Sequence, residues 1–447
     1  MKTKKVKQFV LAGTIALSCF ISPLAATVYY VNSDTGNDAA SGTSEAQAWR
    51  SLSKAGNFAF KSGDIVQFVR GGLWRGSITS KSGVTYTCYG SDNLPKPCIY
   101  GSTSLKNTTD WVQDGTLWRT SQTINADVGN LIFNGNRAGV KCWSKEQVTK
   151  NDRFWYDPAT KYLWLASVGN PAGTGNELEA ALTIDVIKCA GNQITISNLD
   201  IRYGGAHAIN VGGGSSNIII RDCDISWTGG GLLGPVPSGT YGWTLSNWYK
   251  GEGNSDIIMS ISGGVPVRYG NGVQFWHYSP DCIVEGCRFW EIYDTALTNQ
   301  SPDGEHRNIT YRNNIIWNCE QSYEFWNYGP VTDNIVFTNN ICLNAGSGWG
   351  HAQRPDQNGC HLLFLWSSPS GTTNFKVTNN VFAGATEAIF SMDDVNWVNG
   401  LYMNHNAWSQ PSGSVYVRWK GQNIKRFLDY QLSTVLDKNS VQYNCTQ

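Results

Sequence analysis

Short apolar runs recur along residues 271–340 with an asparagine or cysteine at a fixed place in each, and this period decides what the chain can fold into. The runs there are CIVEGCRF, ITYRNNII and IVFTNNIC; elsewhere ITISNLDI, IIIRDCDI, FKVTNNVF and LYMNHNAW join them. Aligned, they put Leu199, Cys223, Cys287, Asn314, Asn340, Asn380 and His405 in one column, at spacings of 24, 64, 27, 26, 40 and 25 residues. A coil of 24 to 27 residues fits once the two long intervals are read as coils with insertions. Units of this size that cannot bury an apolar face alone bury it on the next unit, which makes a solenoid. Leucine-rich repeats would show a leucine consensus and helices, and propeller blades are longer. The expectation is an all-β, right-handed parallel β-helix. Asn314, Asn340 and Asn380 should then stack as an internal ladder, each amide bonding its neighbours along the axis.

The ends of the chain read differently. MKTKKVK is basic and residues 9–26 are apolar, closing on Ala25 and Ala26, the pattern of a secretory signal peptide cut near Ala26. Gly13, Ser18 and Pro23 interrupt the stretch, which argues against a membrane anchor, and Ala16 stands where a lipoprotein signal ahead of Cys19 would carry leucine. No membrane span is expected after cleavage, and the mature protein is expected to be secreted or periplasmic. Residues 27–447 form one domain: 27–182 as N-terminal cap, first coils and a small β lobe, 183–420 as regular coils with loop insertions, and 421–447 as a C-terminal cap. Within the N-terminal part, a helix is expected near residues 49–60. The C-terminal cap should be a short amphipathic helix using Ile424, Phe427, Leu428, Leu432, Val435 and Leu436. Eleven of the twelve cysteines follow the leader, an odd number, with Cys88 and Cys98 as the best local disulfide pair.

Beyond the repeat, the pieces YYVNSDTGND, SGT, AWRSLSKA, GDIVQFVRGGLWRG and YGSDNLPKPCIYGS resemble the N-terminal segment of secreted right-handed parallel β-helix proteins of the pectate-lyase-like superfamily. That resemblance implies the architecture and a glycan partner, but no reaction, because the superfamily holds polysaccharide lyases, glycoside hydrolases, epimerases and proteins that only bind glycans. No catalytic motif transfers residue by residue.

Composition narrows the partner. Net charge is zero, charged residues are 15% of the chain, and 19 tryptophans contribute to 12% aromatics. A nucleic-acid binder would show a basic patch or stripe. Tryptophan faces suit the apolar face of a sugar ring, so a polysaccharide or oligosaccharide is the expected substrate.

A second strand in each coil supplies a candidate surface. Aligning AINV, GVQFWHY, ALTNQ and YEFWNY turns Ile209, Val273, Leu297 and Tyr323 inward and Asn210, Gln274, Thr298 and Glu324 outward in one row. Trp276, Gln300 and Trp326 form a second outward row. Insertions at 228–269, 345–358 and 301–306 are all expected to join the asparagine-column strand to this outward-polar strand, walling a cleft along one edge. Near that edge lie the carboxylates Asp294, Asp303, Glu305, Glu320, Glu324 and Asp356, with His277, His306, His351, Arg307 and Arg354.

No lysine occurs between Lys250 and Lys376, so a hydrolase with a carboxylate pair is favoured over a lyase needing a cationic or basic group. The catalytic candidates are Asp294 and Glu324, with His351 and Arg354 orienting substrate. Gln274, Trp276, His277, Thr298, Gln300 and Trp326 are the substrate-binding candidates. Polysaccharide lysis of a uronic-acid glycan and non-catalytic glycan binding are the alternatives. No cofactor is required by this reading, and no histidine pair stands at zinc-ligand spacing. Asp303, Glu305 and Asp356 are the oxygen donors that calcium could use.

Overall fold

The computed structural model describes residues 26–173, 175–233, 268–301, 305–327, 331–354, 358–365, 372–392 and 400–443. Residues 1–25 of the expected leader, most of the 228–269 insertion, and Asp303 and Asp356 lie outside them. No helix among the described residues is long and apolar enough to cross a membrane.

The chain is a right-handed parallel β-helix. Three long sheets, almost wholly parallel, run along it, with 11, 10 and 10 strands among the described residues. Each coil visits them in the same order. Sheet A holds strands such as His306–Arg312, sheet B Ile315–Trp317, and sheet C Gln321–Asn327. The corners from sheet A to B and from B to C are set by residues with positive φ five apart, as Asn313 and Asn318 in one coil and Asn339 and Asn344 in the next, and five residues earlier Asn308 and Asn334 interrupt the register of the sheet A strands. A left-handed residue costs least when it is glycine or asparagine, so the asparagines mark the turns.

The inward column between sheets A and B is the ladder. Asn314 Nδ2 donates to Asn340 Oδ1 at 3.0 Å, Asn340 Nδ2 to Asn380 Oδ1 at 3.1 Å, and Asn380 Nδ2 to Asn406 Oδ1 at 3.1 Å. The last member is thus Asn406, not His405. His405 takes φ +57° and occupies the left-handed corner that Asn379 fills one coil earlier, so the alignment of the last repeat slips by one residue. Towards the N-terminus the column continues through Cys287, whose backbone N–H donates to Asn314 Oδ1 at 3.0 Å, and Cys223.

Residues 102–182 build a lobe of two further small sheets, mostly antiparallel, with its own core of Trp111, Leu131, Phe133, Phe154, Leu163 and Leu178. The first helix, α1, is shorter than expected at Leu52–Asn57 and starts on Ser51, whose side chain accepts from the Lys54 N–H. At the other end α2, Phe427–Thr434, covers the last coil with part of the expected face: Phe427 is in the core and Ile424 and Leu436 pack against it. Phe427 and Tyr430 are buried against Trp408, whereas Leu428, Leu432 and Val435 are exposed. The aromatic pair outcompetes the leucines because the terminal coil offers an aromatic surface. Cys88 and Cys98 are not bridged; they lie in strands of different sheets, Thr85–Tyr89 and Cys98–Tyr100, and all ten described cysteines are free thiols.

Burial holds three histidines neutral. The imidazoles of His207 and His361 are pushed down to about 4 and that of His306 to about 3 by desolvation, the nearby Asp185 charge opposing this at His207. Each is depressed below the ordinary ~6.5, so the unfolded chain binds more protons in acid. The fold should lose stability as pH falls below about 6.5. Thermal melts between neutral pH and pH ~4 check this, a falling midpoint being expected.

Candidate active site

The candidate residues lie on and beside sheet C, whose register matches the expected rows. Asn210 lies beside Gln274, Gln274 beside Thr298, and Thr298 beside Glu324. Ile209, Val273, Leu297 and Tyr323 are wholly buried on the other face. Trp276, Gln300 and Trp326 form the second row, with the two indoles meeting edge to face over the glutamine at a centroid distance of 5.5 Å. His277 follows at the strand's end and packs its ring against Trp276. On the following coil the row positions are Leu363 and Leu365, which end the polar surface.

Glu324 is buried at the centre of this surface. Its Oε2 accepts from Gln300 Nε2 in a short bond and from Thr298 Oγ1 at 3.3 Å. Desolvation, reinforced by the Asp294 charge, pushes its carboxyl up to about 8, against those hydrogen bonds and the charge of Arg354. Near neutrality Glu324 is therefore a carboxylic acid. Both contacts engage Oε2, which leaves Oε1 as the oxygen open to a substrate.

Asp294 lies just before the strand Thr295–Ser301, outside the outward row, and its Oδ1 accepts from Arg354 Nη1 at 2.8 Å. Arg354 is carried by the insertion between the strands Ile341–Ala345 and Cys360–Leu365. This loop is pinned by Trp349, whose backbone and indole N–H groups donate to Glu291 Oε2 and to the Glu291 carbonyl, each at 2.9 Å. Gly350 passes so close to the corner that a Cβ there would meet Tyr293 O at 2.7 Å, so only glycine fits. A short 3-10 turn, His351–Gln353, then places His351 and Arg354.

Three further groups adjoin the candidate residues. Glu320, with a side chain of 0% exposure, approaches His351 Nδ1 through Oε2 at 3.0 Å, and its Oε1 lies 3.9 Å from Arg354 Nε. Gln353 ties the loop to the lobe: its Nε2 donates to Gly139 O at 2.9 Å, and its Oε1 accepts from Arg268 Nη1 at 3.0 Å. Lys141 of the lobe is also buried at this contact, donating to Asp127 Oδ1 at 2.5 Å and Val128 O at 2.6 Å.

The structure thus brings Asp294, Glu324, His351 and Arg354 to one side of sheet C, beside Gln274, Thr298 and Gln300. The insertions at 228–269 and 345–358 do leave from sheet B and return to sheet C. That at 301–306 does not. Its described ends follow the sheet C strand Thr295–Ser301 and lead into the sheet A strand His306–Arg312, so it joins sheet C to sheet A at the other end of the sheet C strands. Glu305 there pairs with Arg307 at 2.8 Å. Among the described residues no group of three or more His, Cys, Asp or Glu could hold a metal ion.

No protein-family model matches the chain. A stretch of 197 aligned residues, 39% of this chain, is 29% identical to lacto-N-biosidase of Bifidobacterium longum subsp. longum and spans 11% of that protein. Among solved structures, a glycoside hydrolase superposes with a TM-score of 0.57 over 94% of this chain and 96% of its own, at 9% identity, and so shares the fold. A lacto-N-biosidase from Eubacterium ramulus gives a TM-score of 0.41 over 94% of this chain and 68% of its own, at 13% identity.

Proposed function

We propose that this chain is an exported carbohydrate-active enzyme that hydrolyses a glycosidic bond in an oligo- or polysaccharide, with Glu324 as general acid and Asp294 as the second carboxylate. One observation carries the reading: Glu324 is a carboxyl group held protonated near neutral pH, on the outward row of a polar sheet face, beside the charge of Asp294. Environments that push two carboxyl groups apart in pKa assign acid and base roles. The Glu324 proton would pass to the glycosidic oxygen as the bond to the anomeric carbon breaks. Asp294 would take a proton from a water as the water oxygen bonds to the anomeric carbon, or would bond that carbon itself to give a glycosyl ester that a water, deprotonated by Glu324, then cleaves. Trp276 and Trp326 would cover the apolar faces of the sugar, while Arg354 and His351 orient its hydroxyls. The likeness to a glycoside hydrolase in fold, and to a lacto-N-biosidase over part of the sequence, supports a glycan substrate. Export rests on the basic start and the apolar residues 9–26.

One observation favours a lyase instead. Desolvation lowers the ammonium of Lys141 to about 8, against the attraction of Asp127, which is in the range of a general base. Its bonds to Asp127 and Val128 hold it within the lobe contact, so hydrolysis remains the better reading.

The test is a panel of neutral, N-acetylated and uronic-acid glycans, lacto-N-type oligosaccharides included. New reducing ends without ultraviolet absorbance from unsaturated uronates are expected. Absorbing products would make the protein a lyase, and retention of a glycan without cleavage would make it a binding protein.

A further inference from the structure

Glu320 stands out among the buried carboxylates. Its side chain is wholly inaccessible, and one oxygen, Oε2, is held by His351 Nδ1 at 3.0 Å. The other, Oε1, has no hydrogen-bond partner among the described residues. A buried, unsatisfied carboxylate oxygen is costly, and such exceptions in a well-packed site call for a cause. The nearest cationic group is Arg354, with Nε 3.9 Å away, too far for a hydrogen bond. Arg354 is engaged elsewhere, its Nη1 donating to Asp294 Oδ1 at 2.8 Å and to Tyr293 O at 3.3 Å. Asp294 and Glu320 occupy equivalent places on adjacent coils, each one residue ahead of the paired Thr295 and Gln321. A single guanidinium therefore lies between two stacked carboxylates and is bonded to one.

The rest of the surroundings suit a short transfer. The guanidinium lies over the Tyr293 ring at 5.1 Å, a contact with little directionality along the ring face. The loop backbone is fixed independently by Trp349 on Glu291 and by Gln353 on the lobe, so the side chain can move while its root stays. His351 keeps Glu320 in place to receive it.

We propose that Glu320 is a positioning residue, the second seat of Arg354: when a saccharide enters, the guanidinium passes from Asp294 to Glu320 and releases the Asp294 carboxylate for the reaction. This rests on reading Asp294 as the second catalytic carboxylate. Without the transfer, Asp294 would meet the substrate with its charge already engaged by Arg354.

Two variants test it. A crystal structure of Asp294→Ala removes the first seat without needing any substrate. Arg354 is then expected within about 2.7–2.9 Å of Glu320 Oε1. A guanidinium that stays at its present distance, or turns to water, overturns the proposal. In Glu320→Gln the amide still serves His351 but no longer attracts Arg354, so Asp294 stays engaged. On the substrate found by the glycan panel, kcat should fall about 10- to 100-fold while KM and the melting temperature hold, the signature of a loss confined to the transition state. Unchanged kcat, or a lowered melting temperature with kcat and KM moving together, overturns it as well. If the wild-type protein cleaves no glycan, the hydrolase reading fails, while the Asp294→Ala structure still decides whether Glu320 is the second seat.

Discussion

Replacing Glu324 by glutamine is expected to lower kcat by about 10³-fold or more while leaving the fold intact, since general acid catalysis contributes roughly 10²–10⁴. The amide occupies the same volume and can still accept from Thr298 and Gln300 through its oxygen, but it has no proton to give to a leaving oxygen. The wild-type rate should fall as pH rises through about 8, where Glu324 ionises, and the residual rate of the variant should lose that limb. Stability depends on the same carboxyl and falls in the same direction. The folded carboxyl is raised above its unfolded value of 4.5, so its contribution is present at low pH and is lost as pH rises towards 8. Above that pH the glutamine variant should melt at a higher temperature than the wild type, because no charge has to be buried. Rates with pH and melting curves at pH ~7 and ~9 check both halves. A variant that keeps full activity would remove Glu324 from the chemistry.

The coil period and the sheet C rows were legible because a parallel strand has a strict two-residue alternation and a stacked coil repeats it in register. Once Val273, Leu297 and Tyr323 are aligned, Gln274, Thr298 and Glu324 can only share the other face. The same alignment places Glu320 directly beside Asp294, each three residues before the inward Leu297 or Tyr323, so the pairing of these two edge carboxylates is legible in the sequence as well. The misplaced His405 shows the converse. A histidine in the sequence NHN can be matched to either asparagine of NN, and the positive φ of the corner resolves which residue turns and which points inward. The five-residue spacing of corner residues would have resolved it from sequence. Gln353, Lys141 and Arg268 were not legible at all. Gln353 lies 212 residues from Lys141 and 85 from Arg268, and no repeat relates a lobe inserted beside the first coils to a loop near the last. Leu428 and Leu432 misled because helical spacing identifies a face, whereas the surface offered by Trp408 chooses which face is buried.

Replacing Asn340 by leucine should destabilise the protein by roughly 3–5 kcal/mol, a large share of the usual 5–15 kcal/mol. The residue is 1% exposed and uses its amide in full. Its Oδ1 accepts from the Asn314 backbone N–H and from Asn314 Nδ2, both at 3.0 Å, and its Nδ2 donates to Tyr311 O and Asn380 Oδ1, both at 3.1 Å. Leucine has similar volume and should bury more favourably, so an apolar core would predict little change. The ladder reverses that sign. The substitution leaves the Asn314 N–H and one Asn314 amide hydrogen without an acceptor, and Tyr311 O without this donor, where water cannot reach. Each such orphan costs about 1–3 kcal/mol. Aspartate separates the two halves of the effect, because it keeps the acceptor facing Asn314 but loses both donors and adds a buried charge facing Asn380 Oδ1. Asn340→Asp should therefore be worse than leucine at neutral pH, and should recover relative to it as pH falls and the carboxyl takes up a proton that it can donate to Asn380. Denaturant melts of the three proteins at pH ~7 and ~5 measure this. Equal stability of the leucine variant and the wild type would mean that the column is ordinary apolar packing and that the asparagines serve only their neighbouring left-handed corners.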